Sequence, residues 1–153
     1  IMGLGAQMLF WPDFFCKSLI DQGFRVIRFD NRDSGLSTKT IGKPPEALDL
    51  LAKALNGEEV ESFYSLSDMA NDAVALLDFL GYESAHIVGV SMGGMIAQTL
   101  AIEHPKCARS LTSIGSVTGA PELFTPTEEA LEAIELALYS LNNFLSGMER
   151  VYC

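Results

Sequence analysis

Ser91 lies in Gly89-Val90-Ser91-Met92-Gly93, between the β-branched run Ile87, Val88, Val90 and a helical pattern that stops at Pro105. A serine on a sharp strand-to-helix turn has its hydroxyl lifted clear of the backbone, which suits it to nucleophilic attack. Gly89 and Gly93, two residues to either side, permit the close backbone approach that such a turn requires. The helix that follows points its first N–H groups at the same place, which favours developing negative charge. A plain βα turn with a helix-capping serine would explain Ser91 but not both glycines.

A serine hydroxyl needs a neighbouring base, normally a histidine oriented by a carboxylate. A tetrahedral intermediate also needs two backbone donors for its oxyanion. The N–H of Met92, next after the nucleophile, is one candidate. The second is expected from Gly3-Leu4-Gly5, through the Leu4 N–H, with Gly5 as the alternative. The base is harder to find. His86 belongs at the far end of its strand from Ser91. His104 follows Ser91 by thirteen residues on one helix, which at 1.5 Å per residue puts it roughly 20 Å away. No aspartate follows Ser91.

Alternating helices and strands must position these groups. Pro12 suits a first helical turn, Phe15 and Leu19 share a face, and Gly23 is placed to end that helix. Residues 24–30, FRVIRFD, read as a strand running into the turn residues Asn31 to Gly35. Ser65 caps a helix with Asp68 at the third position, and Leu66, Met69, Ala70, Ala73, Leu76, Leu77 and Leu80 make one apolar stripe. Strands are expected at 85–90 and 110–114, and a helix from about 92 to 104. Thr125-Pro126-Thr127-Glu128 reads as a capping box opening a helix to about Leu145. Residues 38–64 are less regular, with a short helix at 47–55. Alternating strands and helices imply an α/β fold, a mostly parallel sheet with helices on both faces. Ligands in such sheets sit at the carboxyl ends of strands, where residues 3–7, 30–37 and 89–93 all fall.

Gly-x-Ser-x-Gly in this context resembles the α/β-hydrolase fold, and so does FDNRDSGLS, similar to that fold's D-x-R-G-x-G-x-S stretch. Together with IMGLGAQ, W-P-D-x-F and G-x-S-M-G-G, these residues resemble the aclacinomycin-methylesterase-like serine esterases over about residues 1–118. Asp33 stands where many hydrolases have glycine, and Met2 where a histidine is common. The resemblance implies hydrolysis of a carboxylic ester through an acyl-enzyme on Ser91. It implies a core domain over 1–120, the start of a helical cap over 121–153, and the triad acid and histidine beyond Cys153. The ends of the chain look cut, and the residues as they stand are expected to lack esterase activity.

Acyl transfer, thioester hydrolysis and perhydrolysis use the same elbow. A rival of another class is an NAD(P)-binding domain, with Gly3-x-Gly5 as its phosphate loop and Asp30 as its ribose acid. The third glycine is missing, since Met8 stands in its place, and the helix starts near Pro12. A truncated, inactive chain is a further alternative.

Composition limits the partners. Ten Lys and Arg against twenty Asp and Glu give a net charge of −10, which argues against nucleic acid or an anionic membrane. A small-molecule ester is the expected partner, with no cofactor and no metal. Cys16, Cys107 and Cys153 share no ligand spacing and read as free thiols, as in the cytoplasm.

Overall fold

A computed structural model of the chain describes residues 1–42, 53, 62–118, 127–133 and 136. The chain divides into two compact units, one of residues 1–40 and 64–123, the other of residues 41–63 and 124–153. In the first, the order is a short 3-10 turn at Met8–Phe10, α1 (Asp13–Asp21), α2 (Leu66–Phe79), β1 (Ala85–Val90), α3 (Met92–Glu103) and β2 (Ala108–Ile114).

The helix boundaries follow their local chemistry. Pro12 is the cap of α1 and not its first helical residue. Gly23 closes α1 with φ +90°, a left-handed conformation that glycine enters without steric cost. At the start of α2, the Asp68 N–H donates to Ser65 Oγ and the Ser65 N–H donates back to the Asp68 carboxylate. This is the reciprocal box expected from the sequence.

Strands β1 and β2 are parallel, with Ile87 opposite Leu111 and Val90 opposite Ile114. Helix α3 connects them. Ile87 is buried against Met69, Ala70, Ala73 and Leu77 of α2 and Ile96, Ala97 and Leu100 of α3. Ile96 and Leu100 are fully buried, which stabilises the fold by roughly 1.5–3 kcal/mol for each side chain. α3 is therefore held on two sides, and its N-terminus is fixed beside the end of β1.

The expected strand at 24–30 is corrected. Residues 24–30 form no strand. A strand needs a ladder partner, and this segment is separated from β1 by a cavity of about 650 Å³ lined by Val26, Ile27, Phe29, Ala85, Ile87 and Val88. Ile1 reaches β1 instead: its N–H donates to Val88 O at 2.6 Å, and its carbonyl accepts from the Val90 N–H at 3.2 Å. His86 lies in β1, one residue after its start, at the end away from Ser91.

In the second unit, residues 128–133 are helical. Thr127 Oγ1 accepts from the Ala130 N–H at 3.3 Å at the start of this helix, and the box expected from Thr125 and Pro126 lies outside the described residues. The expected helix at 47–55 and the continuation from 137 to Leu145 lie outside the described residues, apart from a helical Lys53.

Candidate active site

β1 ends at Val90, α3 begins at Met92, and Ser91 makes the whole turn between them. Its backbone has φ 55° and ψ −126°, a conformation costly for a side chain with a Cβ and held only by its surroundings. Those surroundings are explicit. The Ser91 N–H donates to Ile114 O of β2 at 2.9 Å, and its carbonyl accepts from the Gly94 N–H at 2.8 Å. The Ser91 side chain makes no capping hydrogen bond to α3, and the residue is exposed. The hydroxyl is thus held out of the helix it precedes, which distinguishes this turn from an ordinary serine cap.

The glycines are required by space. A Cβ at Gly89 would lie 2.1 Å from Gly93 O. One at Gly93 would lie 2.4 Å from Ile1 O and 2.5 Å from Met2 O. Gly94, the last glycine of G-x-S-M-G-G, is also constrained: its Cβ would lie 2.6 Å from Ser116 Cβ. Strand end, helix start and the Ile1–Met2 backbone therefore meet at van der Waals distance.

The same closeness brings the first loop to Ser91. A Cβ at Gly3 would be 3.1 Å from Ser91 Cβ and 3.5 Å from Ser91 Oγ. The loop turns through an Ala6 N–H to Gly3 O hydrogen bond of 3.3 Å, with Gly5 at φ 66°. Among the described residues, neither the Leu4 N–H nor the Met92 N–H donates to another protein group. The Met92 N–H has no intrahelical acceptor because it opens the helix.

Both histidines are occupied away from Ser91. His86 Nδ1 pairs with Ser110 Oγ at 2.8 Å, and its ring stands edge-on to Phe24. His104 ends α3, with Nε2 2.8 Å from Asn71 Oδ1. Cys16 is buried and Cys107 half-buried, both as free thiols, and Cys153 lies outside the described residues. Among the described residues, no group of three or more His, Cys, Asp or Glu side chains is gathered as metal ligands would be. None of the described helices is long and apolar enough to cross a membrane.

The segment after residue 30 builds a belt beside the first loop. Asp33 has φ 66°, so its position is one that glycine would fill readily, and its side chain replaces glycine's freedom with hydrogen bonds. Thr40 N–H and Oγ1 donate to its carboxylate at 2.5 and 2.8 Å. Burial pushes the Asp33 carboxyl up, but the Thr40 and Tyr64 hydrogen bonds outweigh it and hold the group below its ordinary value. Burial, reinforced by Asp33, pushes the Tyr64 phenol up to about 12. Arg32 forks onto Asp72 at 2.7 and 2.8 Å and stacks over Tyr64 at 4.9 Å. Its hydrogen bond to Asp72 raises the guanidinium further.

The dinucleotide alternative loses its geometry here. Gly5 is followed by the 3-10 turn, and α1 starts only at Asp13, so no helix N-terminus meets the glycine loop.

The sequence profile of the alpha/beta hydrolase fold matches residues 1–152. This chain belongs to that family. Rhodomycin D methylesterase from Streptomyces peucetius is 36% identical over 102 residues, which are 67% of this chain and 28% of that protein. A candidate carbamate hydrolase from Yersinia enterocolitica is 34% identical over 114 residues, 74% of this chain and 34% of that protein. A hydrolase from Pseudomonas aeruginosa, known from its crystal structure, superposes with a TM-score of 0.57 at 25% identity, over 75% of this chain and 35% of that one. The chain thus spans about a third or less of the length of the curated relatives it matches. Methylesterases among the relatives agree with the resemblance read from the elbow and its neighbouring loops.

Proposed function

We propose that this chain carries the nucleophile and oxyanion site of a serine hydrolase acting on carboxylic esters. The observation that carries the reading is the strained Ser91 turn, with its hydroxyl unused by α3 and the Gly3-Leu4 loop packed against it. Ser91 Oγ attacks the ester carbonyl as its proton passes to a histidine base. The Met92 and Leu4 N–H groups receive the oxyanion. The intermediate then expels the alcohol, which takes the proton back from the histidine, and an acyl-Ser91 ester remains. Water, deprotonated by the same base, releases the acid and restores Ser91.

Neither His86 nor His104 takes this role in the reading, because His86 sits at the start of β1 and His104 at the far end of α3, each at the end of its element away from Ser91. The acid and histidine are therefore assigned to other parts of the whole protein, of whose relatives this chain spans about a third or less, and the region from about residue 121 to the start of a helical cap. The 153 residues alone are expected to lack turnover. Relatives named as a methylesterase and a candidate carbamate hydrolase support attack on an ester or carbamate carbonyl at this site. Acyl transfer, thioester hydrolysis and perhydrolysis share the acyl-Ser91 step.

Labelling with a fluorophosphonate probe tests the reading. In the whole protein, the probe is expected on Ser91 and absent from Ser91→Ala, together with loss of short-chain aryl-ester hydrolysis. Failure of the probe to label Ser91 would overturn the mechanism.

A further inference from the structure

Asn31 is the buried polar side chain of the described core, 5% exposed. A buried amide is costly unless it is hydrogen-bonded, so the partner of this one is informative. Its Nδ2 donates to the Met2 carbonyl at 2.9 Å. That carbonyl belongs to the peptide joining Met2 to Gly3, one peptide ahead of the one that carries the Leu4 N–H. It also lies against the first turn of α3, since a Cβ at Gly93 would come within 2.5 Å of it.

The adjacent residue holds the other end of the same loop. Asp30 Oδ1 accepts from the Met8 N–H at 2.7 Å. Asp30 is itself fixed, by the Ser37 hydroxyl on its carbonyl at 2.6 Å and the Leu36 N–H on Oδ2 at 3.1 Å. Two consecutive residues thus grip a loop that starts at Met2 and ends at Met8, and Gly3 presses it onto Ser91.

We infer that Asn31 is a positioning residue: its amide sets the orientation of the Met2–Gly3 peptide and, through it, the aim of the Leu4 N–H at the oxyanion. The inference rests on the reading of Ser91 as nucleophile. It also specifies chemistry at position 31. A donor is needed there, because the group it faces is a carbonyl oxygen. A carboxylate would repel that oxygen and turn the peptide, and an alkyl group would leave it unpaired.

A static role in stability and a role in aiming the donor differ kinetically. An oxyanion contact is made in the transition state and not with the bound substrate, so its loss appears in kcat and leaves KM alone. Removing one oxyanion donor outright costs about 10²–10³ in kcat, and misaiming one should cost about 10–100-fold. In the whole protein, fluorophosphonate labelling of wild-type Ser91 is measured first. Absence of labelling overturns the nucleophile reading and this inference with it. With labelling established, Asn31→Leu and Asn31→Asp are compared with wild type on an aryl ester and on a trifluoromethyl ketone, whose tetrahedral adduct carries the oxyanion. The expected result is a kcat lowered about 10–100-fold, KM within about threefold, and ketone affinity lowered in proportion to kcat/KM. Asn31→Ala, which leaves room for a water on the Met2 carbonyl, serves if the other two do not fold. Folded variants with unchanged kcat and ketone affinity, or with loss confined to KM, would overturn the inference while leaving Ser91 as nucleophile intact.

Discussion

Gly3 and Ser91 stand so close that a methyl group on residue 3 would lie 3.1 Å from Ser91 Cβ and 3.2 Å from Val90 O. Gly3 has no positive φ, so the constraint is one of space and not of backbone freedom. Gly3→Ala should therefore push the first loop away from the elbow by a few tenths of an ångström. In the whole protein, kcat for ester hydrolysis is expected to fall about tenfold or more, because displacements of about 1 Å cost about 10²-fold. Steady-state kinetics check this, and an unchanged kcat would separate the loop from the chemistry.

The strain at Ser91 predicts a reversed stability order for two inactive variants. Glycine tolerates φ 55° and alanine does not. Ser91→Gly is expected to be more stable than Ser91→Ala by about 1 kcal/mol in urea denaturation. Equal stabilities would mean that the turn relaxes once the hydroxyl is gone.

The same reasoning applies at Asp33, with a different balance. Asp33→Gly keeps the backbone conformation but loses the acceptor for Thr40, whereas Asp33→Ala loses both. Alanine is expected to be the worse substitution by about 1 kcal/mol. Chemical denaturation of both variants against wild type gives the order.

The capping box of α2 predicts a pH dependence of known sign. Hydrogen bonds from the Ser65 backbone and hydroxyl hold the Asp68 carboxyl below its ordinary value of 3.8. A lowered carboxyl contributes stability above its unfolded value, and that contribution is lost as pH falls through the folded value. The stability gap between wild type and Asp68→Asn should therefore be full near neutrality and shrink below about pH 4. Ser65→Ala should cost about 1 kcal/mol at neutral pH. Thermal melts at pH 7 and pH 3 test both statements.

Replacing either histidine should leave catalysis in place. His104→Gln and His86→Gln remove partners of Asn71 and Ser110, not of Ser91. In the whole protein each is expected to keep kcat within about threefold of wild type, since neither side chain reaches the reacting atoms. A loss beyond about 10²-fold in either would return that histidine to the triad.

Much of the site was legible along the chain because its signals are local. Gly89, Ser91 and Gly93 occupy five consecutive residues, and the strand and helix beside them are set by β-branched and helical periodicities a few residues long. The Ser65–Asp68 box is likewise complete within one turn. The reading of 24–30 as a strand failed for a related reason: β-propensity is local, but a strand exists only with a partner, and the cavity beside β1 separates the two.

The sequence by itself singled out Ser91 and its two glycines and placed β1, α3 and β2 in order, because each depends on neighbours in the chain. Tertiary structure decided what surrounds them. It packed Gly3 on Ser91 across 88 residues of sequence, closed Gly94 against Ser116, and paired His86 and His104 away from the elbow. It also buried Asn31 against the Met2 carbonyl, 29 residues back. No periodicity marks such a contact, since a buried amide and a solvated one read alike until the packed core removes the water from one of them.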